Sequence, residues 1–178
     1  MTVRTDTVLT TRSGLQVHVR PASPDDLPAL EAFFNQLTPE DLRFRFLGTV
    51  KVGQQQLTDM TQVDHDRTES FIATATEDGP IIATAMLACD ADMTVGEVAV
   101  SIRADYRHRG IGWELLGFMT ELAAAKGVKR VLSLESRLNR AAIELEQERG
   151  FRARAYDGDA SLVLLEKSLA PASPISGT

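Results

Sequence analysis

Cysteine is almost missing from this chain of 178 residues. With Cys89 as its one cysteine, the chain can form no intramolecular disulfide, and a zinc site built from several thiolates is excluded. Positive charge is in deficit: 19 Lys and Arg face 25 Asp and Glu, for a net charge of −6. A bulk field of that sign argues against nucleic acid as a partner, since phosphate binding needs a basic face, although a local basic patch remains open to other anions. No apolar run approaches the roughly 20 residues of a membrane span. Residues 1–12 are polar and Thr-rich and lack a signal peptide's apolar stretch. A cytoplasmic protein with no membrane partner is the expectation. Internal repeats and Pro/Gly-rich linkers are missing too, so a length near the roughly 150-residue prior reads as one domain. The expected organisation is a flexible polar arm over 1–14, a single domain over 15–168 and a disordered tail over 169–178.

What is present is patterned. Leu15–Arg20 alternates apolar and polar residues, as a half-buried strand does. Ser23-Pro24-Asp25-Asp26 and Thr38-Pro39-Glu40-Asp41 are two helix starts, each with a cap, a proline and acids at the positive end of the dipole. They open helices running to about Phe34 and Phe46, and a third helical stretch covers Gln54–Met60. Strands are expected over 70–76 and 80–88, joined through Asp78-Gly79, and over 95–103. Gly112–Lys126 carries apolar residues at helical spacing, and Lys126-Gly127 ends it. A strand over 128–135, a helix over 139–149 opened by Asn139, and strands from Phe151 and over 160–167 complete the chain. The central order strand-helix-strand-helix-strand predicts an α/β fold with a parallel crossover.

The informative stretch runs from Glu97 to Trp113, where a strand enters a basic, glycine-containing loop that opens a long helix. Amides at a helix N-terminus, reinforced by the dipole, suit an anion such as pyrophosphate. Gly110 and Gly112 allow close backbone approach, and Arg107, His108 and Arg109 add donors and charge. Leu115 occupies the third glycine position of a dinucleotide fingerprint, and the Gly-Lys-Ser/Thr ending of a Walker loop is missing. A turn whose glycines serve only backbone geometry is the alternative reading of this loop.

Arg107-His-Arg-Gly110-Ile-Gly112 resembles the Arg/Gln-x-x-Gly-x-Gly/Ala acyl-CoA loop of the GNAT N-acetyltransferases. Downstream, Asn139-Arg-Ala-Ala-Ile-Glu-Leu-Glu-Gln-Glu-Arg-Gly150-Phe151 resembles that family's Asn-x-x-Ala-x-x-x-Tyr-x-x-x-Gly-Phe element. Leu37–Phe46, and Val63–Arg67 followed by Phe71-Ile72-Ala73, are similar to the acetyltransferase domain of bacterial Pat-type protein lysine acetyltransferases. The resemblance implies the GNAT acyl-CoA N-acyltransferase fold, a mixed central sheet flanked by helices. It implies transfer of acetyl from acetyl-CoA to an amine by direct attack, by a monomer or homodimer, with no metal.

Residue by residue, the resemblance places pantetheine along Val100, Ser101 and Ile102. It places pyrophosphate on Arg107, His108, Arg109, Gly110, Ile111, Gly112 and Trp113, with Asn139 beside the cofactor. Glu97, just upstream of the pantetheine segment, takes the position of a general base, acting directly or through a water. An ordinary solvent-facing strand glutamate is its alternative. The family's Tyr, which often protonates the departing thiolate, is replaced by Glu146, which can be an acid only if burial raises its pKa and is expected here to be a helix-face residue. The acceptor implied by the Pat-like segments is a protein lysine; a small-molecule amine, or a non-catalytic acyl-CoA sensor, are the alternatives. Among other polar residues, His18, His65 and His108 show no ligand spacing, and Asp64 and Asp66 read as loop or cap residues. Cys89 reads as a small strand residue, and Phe33, Phe34, Phe44 and Phe46 as core.

Overall fold

A computed structural model of the chain describes residues 6–47 and 52–169. Among the described residues, eight strands form one sheet: β1 (Thr7–Thr10), β2 (Gln16–Pro21), β3 (Thr68–Thr74), β4 (Ile81–Cys89), β5 (Val95–Ile102), β6 (Arg130–Ser136), β7 (Arg152–Ala155) and β8 (Leu162–Ser168). Their spatial order is β1-β2-β3-β4-β5-β6-β8-β7. The one parallel pair among the described residues, β5 with β6, is joined by the helical crossover that the sequence order predicts. The other adjacent pairs are antiparallel.

Three helices lie between β2 and β3: α1 (Leu27–Asn35), α2 (Pro39–Phe46) and α3 (Gln54–Thr61). The first helix start yields a short 3-10 turn at Pro24–Asp26 before α1. Asp26 is held there by Arg20 through two hydrogen bonds of 2.8 and 2.7 Å. Thr38 caps α2, its Oγ1 accepting from the Asp41 amide at 3.1 Å, and Leu47 ends the helix in the left-handed region at φ 53°. After β5, α4 (Ile111–Ala125) crosses to β6, and α5 (Arg140–Glu148) follows it.

The sheet carries a core on each face. One packs α4 against β3, β4, β5, β6 and β8, through residues such as Phe71, Leu87, Val98, Leu115, Met119, Val131 and Leu165. The other packs α1 and α3 through Leu30, Phe33, Phe34, Leu57 and Met60 against Ile72 and Ile81. Phe33 and Phe34 are core as expected, with ring centroids 5.0 Å apart. Phe46 is partly buried against Phe34. Phe44 instead lines the cleft described below.

The expectation of a flexible arm over 1–14 is corrected for its described part. Residues 7–10 form an edge strand on β2, and Thr11 is buried. This segment also braces the basic loop, since Ser13 Oγ donates to the Arg109 carbonyl at 3.2 Å. A strand of four residues, Thr-Val-Leu-Thr, is too short to show an alternation, so composition reads it as loose. Residues 1–5, and the expected tail from 170 onward, lie outside the described residues. Leu169 is tied down, its amide donating to the Lys129 carbonyl at 2.8 Å. Among the described residues, no helix is long and apolar enough to cross a membrane.

Candidate active site

The site begins where the parallel pair comes apart. Strands β5 and β6 are in register at Val95 with Arg130, Gly96 with Val131 and Glu97 with Leu132. Beyond Glu97 they diverge. β5 stays paired with β4 as far as Ile102, so its other edge, Val98–Ile102, faces a gap whose far side is Ser133–Ser136. Side chains alternate across a strand. Glu97 therefore lies on the sheet face opposite Val98, whose side chain joins the α4 core, while Ser133 and Glu135 share a face with Val131 of that core. The gap opens through the sheet into a cleft of about 390 Å³.

The N-terminus of α4 closes one end. His108, at φ 60°, and Gly110, at φ 86°, both adopt left-handed conformations that turn the chain into the helix. At Gly110 an added Cβ would also stand 3.3 Å from Thr11 Cβ. Gly112 lets α4 pack closely on β5 and α5: a Cβ there would lie 3.2 Å from both Ile102 Cδ1 and Leu145 Cδ1. The first-turn amides have no intrahelical acceptor and carry the positive end of the dipole.

Of the residues expected at the site, Glu97, Val100, Ser101, Ile102, Arg107, His108, Gly110, Ile111, Gly112 and Asn139 all line the cleft. The side chains of Arg109 and Trp113 do not. Arg109 lies over the Tyr106 ring, 4.9 Å from its centroid. Trp113 is held between Arg12 and Arg149, whose guanidinium carbons stand 5.0 and 4.0 Å from its ring centroid. Arg149 also donates to the Trp113 carbonyl at 2.7 and 3.1 Å, which locks α5 to α4. The Arg107 guanidinium forms an ion pair with Asp41 of α2. Asn139 caps α5, accepting from the Ala142 amide at 3.4 Å, and donates to Glu135 at 3.1 Å.

The sequence pattern of the Acetyltransferase (GNAT) family matches residues 32–151, which include the parting strands, the basic loop, α4 and α5. The chain belongs to the GNAT family. Among GNAT relatives, Acetyltransferase PA5475 of Pseudomonas aeruginosa is 29% identical over 154 residues, covering 85% of this chain and 83% of that protein. Acetyltransferase Pat of Mycolicibacterium smegmatis is 31% identical over 122 residues, 67% of this chain but 36% of Pat. The chain thus spans little more than a third of that relative. The GNAT domain of S. lividans PAT, a solved structure, has a TM-score of 0.86 at 22% identity, covering 95% of this chain and 99% of that one. The fold is the GNAT fold, the chain is an acetyltransferase, and its likeness to Pat-type domains is seen in sequence and in structure.

Within the GNAT cleft, Glu135 and Arg45 escaped sequence reasoning, and Glu146 departs from the place expected for it. Glu146, expected on an exposed helix face, is 6% exposed and lines the cleft. Burial and the neighbouring Glu135 push its carboxyl up to about 9. Its Oε1 meets Ser133 Oγ at 3.0 Å, while Oε2 is buried with no hydrogen-bond donor. Glu135 is likewise raised by burial, and it interacts with Ser133, Asn139 and Glu146. Arg45 of α2 is deeply set, with its Nε unpartnered; burial lowers its pKa, opposed by the charges of Glu97 and Glu135. Two signals were available. Glu146 follows Asn139 by seven residues, two helical turns, and Glu135 follows Ser133 by two on a strand.

The weaker candidates have structural roles. Asp64 accepts from the amides of Asp66, Arg67 and Thr68 at 3.0–3.1 Å, and these bonds lower its pKa. His65 pairs with buried Glu69 at 2.9 Å, and Lys126 meets the same carboxylate at 3.1 Å. Cys89 ends β4 half-buried, and burial raises its thiol pKa, which disfavours the thiolate. Among the described residues, no group of three or more His, Cys, Asp or Glu could hold a metal ion.

Proposed function

We propose that this GNAT domain transfers the acetyl group of acetyl-CoA directly to an amine, and that the amine is a protein lysine. The observation that carries the proposal is the position of Glu97: exposed, lining the cleft, at the residue where β5 and β6 part. Acetyl-CoA fits from the α4 side. Its pyrophosphate would meet the amides of the 107–113 turn, and its pantetheine arm would lie along the open edge of Val100, Ser101 and Ile102, beside Asn139. The thioester carbon would then reach the parting point.

The acceptor enters from the face that carries Glu97, where α2 forms the rim. Free lysine is charged below pH of about 10.4, so its nitrogen must lose a proton to attack. Glu97 takes that proton, directly or through a water, for an expected ~10²–10⁴-fold in rate. The nitrogen adds to the carbonyl carbon, the C–N bond forms, and the C–S bond breaks without a covalent enzyme intermediate. The likeness to Pat-type domains supports a protein acceptor. A small-molecule amine is the competing acceptor class.

The test follows CoA release from acetyl-CoA by wild type and Glu97→Gln, over lysine-containing proteins, polyamines, amino acids and aminoglycosides. Release stimulated by the proteins and lost in the variant is the expected result. Stimulation by small amines alone would replace the acceptor. Tight acetyl-CoA binding with no release over the whole panel would favour an acyl-CoA sensor.

A further inference from the structure

Acetyl transfer from CoA to lysine gives no task to Arg45, a cation in the cleft wall. Arg45 lies near the end of α2, one helical turn after Asp41, and both residues line the cleft. Its Nε is buried with no acceptor. Among the described residues its one hydrogen bond runs from Nη2 to Met86 Sδ at 3.4 Å, and it forms no ion pair. A thioether is a weak acceptor, and a guanidinium keeps its charge and its five N–H donors. Taking such a group out of water with its donors unmet is costly. Asp41 is already paired with Arg107. Glu97 and Glu135 act on Arg45 through their charge. They keep it cationic and accept no hydrogen bond from it.

The strand register fixes where the guanidinium stands. Met86 of β4 is opposite Ala99 of β5, and cross-strand partners share a sheet face. Ala99 lies between Glu97 and Ser101 on that face, because side chains alternate along a strand. The contact with Met86 sets Arg45 beside the row Glu97, Ala99, Ser101, whose ends lie about 7 Å of strand to either side of Ala99. Ser101 is 8% exposed, and its Oγ is likewise buried with no partner. The open edge that suits pantetheine is backbone, so this hydroxyl is left over. A guanidinium and a hydroxyl with unmet donors thus stand in one wall of the cleft, near the point where β5 leaves β6. A carboxylate satisfies both: its two oxygens match the planar fork of arginine and still leave lone pairs for a hydroxyl.

We propose that Arg45, with Ser101, forms a carboxylate subsite, and that the favoured substrate brings a carboxylate to it. The inference rests on the acyl-transfer reading above and adds a charged feature to its substrates. Two sources share this chemistry: the far end of a dicarboxylic acyl group on CoA, and an acidic residue beside the target lysine. Neither alters the bonds made and broken, since the amine nitrogen still adds to the carbonyl carbon and sulfur still leaves. The carboxylate only binds, and no proton or electron moves at Arg45. Its charge meets the guanidinium at hydrogen-bond distance, which no acid among the described residues does.

The test measures kcat/KM for two matched pairs of substrates. One arm compares succinyl-CoA with butyryl-CoA on one lysine peptide. The other uses acetyl-CoA and compares lysine peptides with Glu or Gln next to the lysine. In wild type the charged member of a pair should be favoured by ~10–10²-fold, the scale of a charge-assisted hydrogen bond, and the arm that shows it names the source. Arg45→Met, without the charge, should bring that ratio to about one. Arg45→Lys, which keeps the charge and loses the fork, should leave part of it. Arg45→Gln replaces Arg45→Met if the latter does not fold. A purely structural role would change stability and leave the ratio alone. Calorimetry on the same pairs, with CoA present for the peptides, reads the subsite without turnover. If wild type favours the charged member of neither pair, in turnover or in binding, the subsite is overturned. A preference that survives in the folded neutral variant overturns it too. If wild type binds a charged member more tightly yet releases no CoA with any substrate, the acyl-transfer reading falls and the subsite stands.

Discussion

The two walls of the cleft place the same functional group in opposite surroundings. On β5, Glu97 projects into open space at the point where pairing with β6 ends, and water reaches it. On α5, Glu146 is enclosed beside a second carboxyl, and its proton is held to about pH 9. Both are glutamates on regular elements, so their intrinsic chemistry is identical. Environment alone separates them, one open to water and the other shut away from it. The difference arises from the sheet. The divergence of β5 from β6 opens one side to solvent, while the packing of α5 on β6 and β8 shuts the other.

The sharpest way to break the contrast is at the open wall. Glu97→Gln should cost ~10²–10⁴-fold in kcat with acetyl-CoA affinity intact, read by steady-state CoA release and by calorimetric binding. A loss confined to KM would make Glu97 a binding residue instead.

The closed wall has a signature in stability. The Glu146 carboxyl is raised from 4.5 to about 9, so the folded state binds a proton that the unfolded state releases across that range. Its contribution is fully present below pH 4.5 and is lost as pH rises toward 9. Glu146→Gln removes this dependence. The variant should gain on wild type by about 1.4 kcal/mol per pH unit within that window, on the order of 3 kcal/mol by pH 7. Thermal melts from pH 5 to pH 9 measure the gain; parallel curves for the two proteins would show that Glu146 ionises freely.

Smaller effects sharpen the comparison at the end of the cleft. Gly110→Ala places a Cβ at φ 86°, against Thr11, and should destabilise by about 1 kcal/mol while weakening acetyl-CoA binding. Unchanged affinity would separate the loop from the cofactor. Ser13→Ala removes the brace on the Arg109 carbonyl and should cost about 0.5 kcal/mol, with a slight loss of CoA affinity and no change in the pH profile. A shifted profile would couple the N-terminal strand to Glu135 and Glu146.

Local pattern made much of this molecule legible. Pro39 after Thr38, the apolar spacing from Leu115 to Ala123, and Gly127 and Gly150 at helix ends are signals that act within a turn or two of chain. The elements they predict are present within a few residues of the expected bounds. The loop from Arg107 to Gly112 was legible for the same reason: anion binding at a helix N-terminus is a property of consecutive residues. The edge strand at Thr7–Thr10 was not, because four residues are too few to show an alternation and it is pairing with β2 that holds them. Where the Trp113 ring packs was not legible, because Arg149, 36 positions away, decides it.

By itself, then, the sequence determined the element order, the parallel crossover, the basic turn and the presence of glutamates at 97, 135 and 146. Tertiary structure alone decided what those glutamates are. Desolvation and the approach of a second charge are properties of three-dimensional neighbours, and β6 brings Ser133 and Glu135 against α5 only once the sheet has formed. A protonation state is set by solvent access and by charges within a few ångströms, and neither distance exists along the chain.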